Sequence, residues 1–192
     1  MSGKEKLLSN RITPEQARTA YAQARCLFNE EQVENAIVQM AAKISARLSE
    51  KNPLVISVMN GGLILTGKIV TKLDFPLHLD YLHATRYRGA THGGELHWVV
   101  KPQYSLQDRH VLIIDDILDE GVTLNAILEY CKAEGAREVL SCVLVEKDHD
   151  RKYGTEHADF AGLVVEDAYV FGYGMDYKGY LRNVAGIFAI AE

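Results

Sequence analysis

Residues 111–128 restrict the possible folds of this chain more than any other segment. Four apolar residues that predict a buried strand are followed at once by Asp115 and Asp116, then by Asp119 and the start of a helix. In an open α/β sheet, ligands bind where strands end and helices begin, and the amide groups of a helix N-terminus favour an anion. A phosphate group therefore fits the turn at residues 119–123, and carboxylates beside it indicate Mg²⁺ or hydroxyl groups between them. A solvated acidic turn explains one exposed aspartate well but explains three at this spacing poorly.

Length and composition describe an ordinary globular chain. It has 192 residues, of which 47% are hydrophobic and 24% charged, with a net charge of −5. This length predicts one domain, residues 1–192, and the negative charge argues against a nucleic-acid partner. No segment approaches ~18 consecutive apolar residues and none resembles a signal peptide, so we expect no membrane partner. Three cysteines without metal-ligand spacing are typical of reduced thiols, and we expect a cytoplasmic protein.

Alternating strand and helix patterns predict an α/β fold. Predicted strands lie at residues 54–59, 77–84, 111–115, 139–145, 160–165 and 169–171, and predicted helices at 14–26, 30–49, 63–73 and 124–134. This alternation favours a parallel sheet core flanked by helices, at about residues 54–165. We expect a small hood over the carboxyl edge of the sheet, from about residues 1–50 and 166–192. Residues 86–94 predict a loop, and 95–101 predict a strand that pairs back as a hairpin arm.

Residues 111–123 resemble the signature by which the purine phosphoribosyltransferases bind phosphoribosyl pyrophosphate (PRPP). The usual order is four apolar residues, two acidic, two apolar, then Asp, Thr, Gly and, two positions later, Thr. Glu120 stands where the family has its first Thr, so a negative side chain replaces a hydroxyl donor. The resemblance implies the type I phosphoribosyltransferase fold, PRPP as a substrate and Mg²⁺ as a cofactor. It assigns PRPP and phosphate binding here to Asp115, Asp116, Asp119, Glu120, Gly121, Val122 and Thr123.

A second loop, after the predicted strand at residues 54–59, resembles the family loop that contacts pyrophosphate. The resemblance implies contacts from Asn60 and Gly61 and a cis peptide bond between Met59 and Asn60. Mammalian-type members commonly carry Lys at the position of Asn60, so this chain lacks a positive charge there.

The same region partly matches a phosphate-binding P-loop, because residues 62–68 have the pattern G-x-x-x-x-G-K. However, Ile69 stands where Ser or Thr should hold Mg²⁺. Apolar residues at helical spacing also place Gly67 and Lys68 inside a helix, which favours the pyrophosphate-loop interpretation.

Two later segments resemble the purine-binding parts of the family. Lys147 matches the lysine that recognises the exocyclic oxygen of a 6-oxopurine, and Tyr169 matches an aromatic residue that stacks on the base. The backbone carbonyls of Val170 and Asp176 would face the purine 2-position. Arg182 matches an arginine near pyrophosphate, and the Asp176 carboxylate would approach a second Mg²⁺. The metal ligands that the resemblance implies are Asp115, Asp116 and Asp176.

Residues 86–94 correspond to the mobile lid of the family. Tyr87 keeps the usual aromatic residue, whereas Arg86 replaces the usual Ser. Three histidines, His83, His92 and His97, raise the alternative of a zinc site, but they lack metal-ligand spacing and cysteine partners.

Together these segments identify the chain as a member of the hypoxanthine-guanine phosphoribosyltransferases. The resemblance implies transfer of the 5-phosphoribosyl group from PRPP to hypoxanthine, and also to guanine, in purine salvage. Asp119 would be the catalytic acid/base group at purine N7. Two alternatives stay open: a phosphoribosyltransferase that prefers xanthine, and a non-catalytic regulator that senses nucleotides with the same fold. The implied partners are PRPP, a 6-oxopurine and further copies of the chain, in a homodimer or homotetramer.

Overall fold

Strands and helices alternate along the computed structural model, which describes residues 12–86 and 96–190. The helices are α1 (Pro14–Gln23), α2 (Glu30–Leu48), α3 (Gly62–Val70) and α4 (Val122–Ala133). The strands are β1 (Arg25–Phe28), β2 (Leu54–Val58), β3 (His78–Arg86), β4 (Leu96–Val100), β5 (His110–Leu118), β6 (Glu138–Asp148), β7 (Phe160–Glu166), β8 (Val170–Phe171) and β9 (Ile187–Ala189). Within the described ranges, no helix is long and apolar enough to cross a lipid bilayer.

The six longer strands form one sheet in the order β4-β3-β2-β5-β6-β7. All neighbouring pairs are parallel except β3 and β4, which confirms the predicted parallel sheet and the hairpin arm. After β2 the chain adds β3 and β4 toward one edge of the sheet. After β5 it adds β6 and β7 toward the opposite edge. The carboxyl ends of β2 and β5 therefore lie at a switch point, where an open α/β sheet leaves a crevice for ligands.

The apolar residues of β5 explain why helices cover both faces of the sheet. Leu112 and Ile114 pack in the cluster that contains the buried residues of α2 and α3. Val111 and Ile113 pack on the opposite face, in the cluster that contains α4. Successive side chains of a strand point to opposite faces, so a continuous apolar run requires cover on both sides.

A separate three-stranded sheet, in the order β1-β9-β8, forms the hood. The predicted first helix was too long: α1 ends at Gln23 because Arg25–Phe28 pairs antiparallel with β9. The strand β9 was not predicted, since its partners are distant in sequence and it is short. The helix α2 packs its buried side chains in an apolar cluster that also contains residues of α3, β5 and the hood strands β8 and β9.

The strands β5 and β6 each extend three residues past their predicted ends. The parallel ladder between β5 and β6 continues through Asp115–Val143 to Leu118–Glu146. Asp116 therefore lies within a strand, not after it, and Lys147 likewise lies in β6. The ladder continues because β6 supplies backbone partners for polar residues that carry no strand signal of their own.

Candidate active site

Three chain segments meet at the switch point between β2 and β5. The loop before α3 carries Gly61, and an added Cβ there would lie 2.0 Å from Asp116 Oδ2. Gly174, in the segment before β9, has φ of +110°, and its Cβ would lie 2.1 Å from the Gly61 carbonyl oxygen. Only glycine allows both approaches. The Met59–Asn60 peptide bond in this loop is cis, as predicted.

Asp115 and Asp116 form a partly buried acidic pair. The Asp116 amide donates a hydrogen bond to Asp115 Oδ1 at 2.9 Å, and the Asp116 side chain is 13% exposed. Burial, together with the neighbouring Asp116 charge, raises the pKa of Asp115 well above its usual range. Burial also raises the pKa of Asp116, although Arg182 Nη1 lies 3.8 Å from its Oδ2 atom. Two desolvated carboxylates with one nearby cation fit a divalent ion with oxygen ligands such as Mg²⁺, which would relieve their repulsion.

The residues that follow the hood strand β8 complete this side of the site. Arg182 Nη2 donates to Asp176 Oδ1 at 2.6 Å, and its Nη1 donates to the Gly174 carbonyl oxygen. Asp176 Oδ2 accepts a hydrogen bond from the Gly179 amide at 2.7 Å. Both Asp176 oxygens therefore have protein partners. A metal ion bound at Asp176 would have to displace either Arg182 or the Gly179 amide from one of these oxygens.

Asp119 is held by two side chains from the end of β6. Lys147 Nζ donates to Asp119 Oδ2 at 3.1 Å, and His149 Nε2 lies 2.7 Å from Asp119 Oδ1. Desolvation acts to raise the pKa of Asp119, but the hydrogen bonds from His149 and Lys147 outweigh it and lower that pKa. The carboxylate is therefore ionised at neutral pH and can accept a proton.

A ring of charges surrounds this group. Asp167 Oδ1 lies 3.6 Å from Lys147 Nζ, and Asp167 Oδ2 accepts a hydrogen bond from Arg151 Nη2 at 2.6 Å. Arg151 Nη1 lies 3.9 Å from Glu120 Oε1, so a basic side chain offsets the acidic residue that departs from the family motif. One ligand atom each of Asp119, His149 and Asp167 lies within 4.8 Å of the others. The Lys147 ammonium group contacts two of these three residues, so we assign the cluster to ion pairing rather than to a metal.

The turn before α4 is braced by residues 152–155. Gly121 has φ of +79° and its Cβ would lie 2.1 Å from the Thr155 carbonyl oxygen, so glycine is required there. The Tyr153 amide donates to the Glu120 carbonyl at 2.9 Å, and Lys152 Nζ donates to the Asp119 carbonyl at 2.8 Å. The helix begins at Val122, so the amides of Val122 and Thr123 lie in its first turn, where helices lack internal acceptors. This geometry suits an anion.

The remaining predicted residues lie at the edges of the site. Val170 is buried in β8, and Tyr169 is 52% exposed with its ring 5.6 Å from that of Tyr177, edge to face. Asn60 is exposed beside Gly61. Arg86 ends β3, whereas its side chain and Tyr87 lie outside the described residues.

Sequence reasoning missed His149, Arg151 and Asp167. The available signal was strand alternation, since residues 147 and 149 fall on the same side of an extended chain and both contact Asp119. The individual roles predicted for the site residues stay predictions.

Comparisons with known proteins agree with this geometry. Residues 26–178 match the family model for the phosphoribosyl transferase domain. A hypoxanthine-guanine-xanthine phosphoribosyltransferase from Tritrichomonas foetus is 30% identical over 168 residues, which cover 88% of this chain and 92% of that protein. A hypoxanthine-guanine phosphoribosyltransferase from Bacillus subtilis is 30% identical over 83% of this chain and 89% of its own. The crystal structure of a hypoxanthine phosphoribosyltransferase from Staphylococcus aureus superposes with a TM-score of 0.84 at 25% identity, covering 89% of this chain and 94% of that chain. The chain belongs to the phosphoribosyl transferase domain family and, within it, to the hypoxanthine-guanine phosphoribosyltransferases.

Proposed function

We propose that this single-domain protein transfers the 5-phosphoribosyl group of PRPP to a 6-oxopurine in purine salvage. Hypoxanthine, and also guanine, would give IMP or GMP with release of pyrophosphate. The observation that carries the proposal is the contact between Lys147 and Asp119 at 3.1 Å, at the same sheet edge as the partly buried pair of Asp115 and Asp116. A group able to donate to a 6-oxo oxygen and a group able to exchange a proton thus lie together next to an acidic pair suited to a ribosyl ligand.

The acidic pair and the adjoining loops would bind PRPP. Asp115 and Asp116 would hold the ribose hydroxyl groups, directly or through water on Mg²⁺. The amides of the turn at residues 119–123 would hold the 5′-phosphate, and the loop at Asn60 and Gly61 would hold pyrophosphate together with Arg182. When bound, Mg²⁺ would neutralise charge on the leaving pyrophosphate, with Asp115, Asp116 and Asp176 as its protein ligands.

The purine would lie between Lys147 and Tyr169, with the carbonyls of Val170 and Asp176 at its 2-position. As N9 forms its bond to the ribose C1′ atom, the bond from C1′ to pyrophosphate breaks and Asp119 accepts the N7 proton. Positive charge develops on the ribosyl ring, and closure of the lid at Arg86 and Tyr87 would exclude water from it.

We also propose that the chain forms a homodimer or homotetramer and acts in the cytoplasm. Exposed Leu63, Leu79, Tyr81 and Tyr104 line one groove, where a second copy would cover apolar surface. In a similar hypoxanthine phosphoribosyl transferase from Trypanosoma cruzi, the C-terminal region has a role in the oligomeric state. All three cysteines are free thiols, as is usual in reducing compartments.

One assay tests the reaction. The purified protein is given PRPP and Mg²⁺ with hypoxanthine, guanine, xanthine or adenine, and nucleotide formation is measured. We expect activity with hypoxanthine and guanine and none with adenine. Xanthine is included because the Tritrichomonas foetus relative is a hypoxanthine-guanine-xanthine phosphoribosyltransferase. Excess chelator should abolish turnover, and NAD should not replace PRPP. Lack of turnover with every base would contradict the proposal and favour a nucleotide-sensing role.

A further inference from the structure

The imidazole of His149 is held between Asp119 and the backbone of its own loop. We propose that His149 is a positioning residue that orients the Asp119 carboxylate for proton exchange with purine N7. This inference rests on the proposed phosphoribosyl transfer, because that reaction gives Asp119 its role. His149 itself does not contact the reacting atoms in this arrangement; it acts through Asp119.

The hydrogen bonds of His149 determine which ring nitrogen carries the proton. The Arg151 amide donates to His149 Nδ1 at 3.1 Å, so Nδ1 is an acceptor and cannot carry a proton. The neutral ring therefore has its proton on Nε2, which donates to Asp119 Oδ1 at 2.7 Å. The His149 side chain is 6% exposed, whereas that of Asp119 is 44% exposed. A buried, fixed donor thus holds a carboxylate that faces solvent and substrate.

Asp119 needs a donor other than Lys147. Lys147 Nζ contacts both Asp119 and Asp167, and in the proposed reaction it also has to reach the 6-oxo group of the base. When Lys147 turns to the base, His149 keeps one Asp119 oxygen fixed and leaves the other free for N7. The hydrogen bond from His149 also lowers the pKa of Asp119. The cations near this group are Lys147, Arg151 and Lys152, and the nearby anions are Asp167 and Glu120.

The tautomer can be tested without any substrate. Long-range ¹H–¹⁵N correlation spectra of the ligand-free protein at neutral pH should show His149 protonated on Nε2 alone. A ring protonated on Nδ1 alone, or on both nitrogens, would overturn the hydrogen-bond arrangement and the inference with it.

Kinetics test the positioning role. His149→Phe keeps a planar ring of similar size but removes the donor, whereas His149→Gln places an amide donor at a similar reach. Outer partners of this kind typically contribute ~10–100-fold, so the Phe variant should lose about tenfold or more in single-turnover rate. The Michaelis constant for PRPP should stay near the wild-type value, and the Gln variant should recover most of the rate. His157→Phe is the matched control, because His157 is an exposed histidine paired with Glu146 at 2.6 Å.

A double-mutant cycle separates positioning from a general structural effect. Adding His149→Phe to Asp119→Asn should cause little further loss, since the two residues act as one unit. Equal losses in the Phe and Gln variants, or independent losses in the cycle, would overturn the inference while leaving the proposed reaction intact. A wild-type protein that makes no nucleotide from any base would overturn both.

Discussion

Lys147 Nζ lies 3.1 Å from Asp119 Oδ2, although the two residues come from different strand ends and are 28 positions apart. The residue proposed to recognise the base and the residue proposed to exchange its proton are therefore bound to each other. Base binding has to replace this ion pair with contacts to the substrate. Substitutions at either residue should consequently affect both recognition and the chemical step, but in different proportions.

Asp119→Asn should slow the chemical step far more than it weakens PRPP binding. The amide has the size of the carboxylate but cannot accept the N7 proton, and acid/base groups typically contribute ~10²–10⁴-fold. Single-turnover rates and PRPP binding measured by calorimetry would distinguish the two effects. Asp148→Asn is the control, because Asp148 is an exposed acidic residue next to Lys147 in β6. Wild-type turnover in Asp119→Asn would remove this residue from the proposed role.

Lys147→Ala should raise the Michaelis constant for hypoxanthine and leave that for PRPP nearly unchanged. An ammonium group donates to a 6-oxo oxygen but accepts nothing from a 6-amino group, so the wild type should reject adenine. We also expect a smaller fall in kcat, because Asp119 loses the hydrogen-bond donor that Lys147 provides. Lys132→Ala, which removes an exposed lysine paired with Glu129, should behave as wild type. An alanine variant with normal use of hypoxanthine would contradict the 6-oxopurine assignment.

Asp115→Asn should stabilise the metal-free protein while impairing activity. Because burial raises the pKa of Asp115 in the folded state, its contribution to stability is greatest below the unfolded pKa of about 3.9. This contribution to the free energy of unfolding is lost as the pH rises through the folded pKa and Asp115 ionises. Asparagine does not ionise, so the variant keeps its stability over the same pH range. The difference in Tm between variant and wild type should therefore grow from pH 4 to pH 7. In a chain of this length, a change of about 1 kcal/mol in the free energy of unfolding shifts Tm by about 2–4 °C.

Thermal unfolding followed by circular dichroism in chelator checks the Asp115 prediction. Adding Mg²⁺ with PRPP should reduce the difference in Tm between the variant and the wild type, because the ligands should stabilise the wild type alone. A variant that is less stable than the wild type at pH 7 would show that the acidic pair does not destabilise the fold.

Gly61→Ala should abolish most activity, whereas Gly67→Ala should not. The new methyl group at Gly61 would overlap Asp116 Oδ2 at 2.0 Å and displace the carboxylate. At Gly67, inside α3, an added Cβ meets nothing within 4 Å, so alanine should stabilise the helix by about 0.5–1 kcal/mol. Nucleotide formation and Tm measured on both variants check this contrast, and an active Gly61→Ala variant would argue against a close approach of this loop to Asp116.

Features that are encoded in contiguous stretches of the chain could be predicted from the sequence. The apolar runs predicted most strands and helices, and local capping boxes at Thr13–Gln16 and Asn29–Gln32 begin α1 and α2. The acidic motif at residues 111–123 was likewise predictable, because it is a contiguous stretch whose residue types and order are visible. The cis bond after Met59 was implied by the family resemblance of its loop.

Contacts between residues that are distant in the sequence depend on the folded arrangement of the whole chain. Strand β9 forms because β1 and β8 supply its partners, and no local pattern encodes that pairing. His149 reaches Asp119 from 30 positions away because the β5–β6 ladder extends to Leu118 and Glu146, which sets both residues at one edge of the sheet. Tyr173 donates to Glu34 at 2.6 Å across 139 positions in the same way. Such contacts depend on strand register and helix packing, which are properties of the whole chain and not of any one segment.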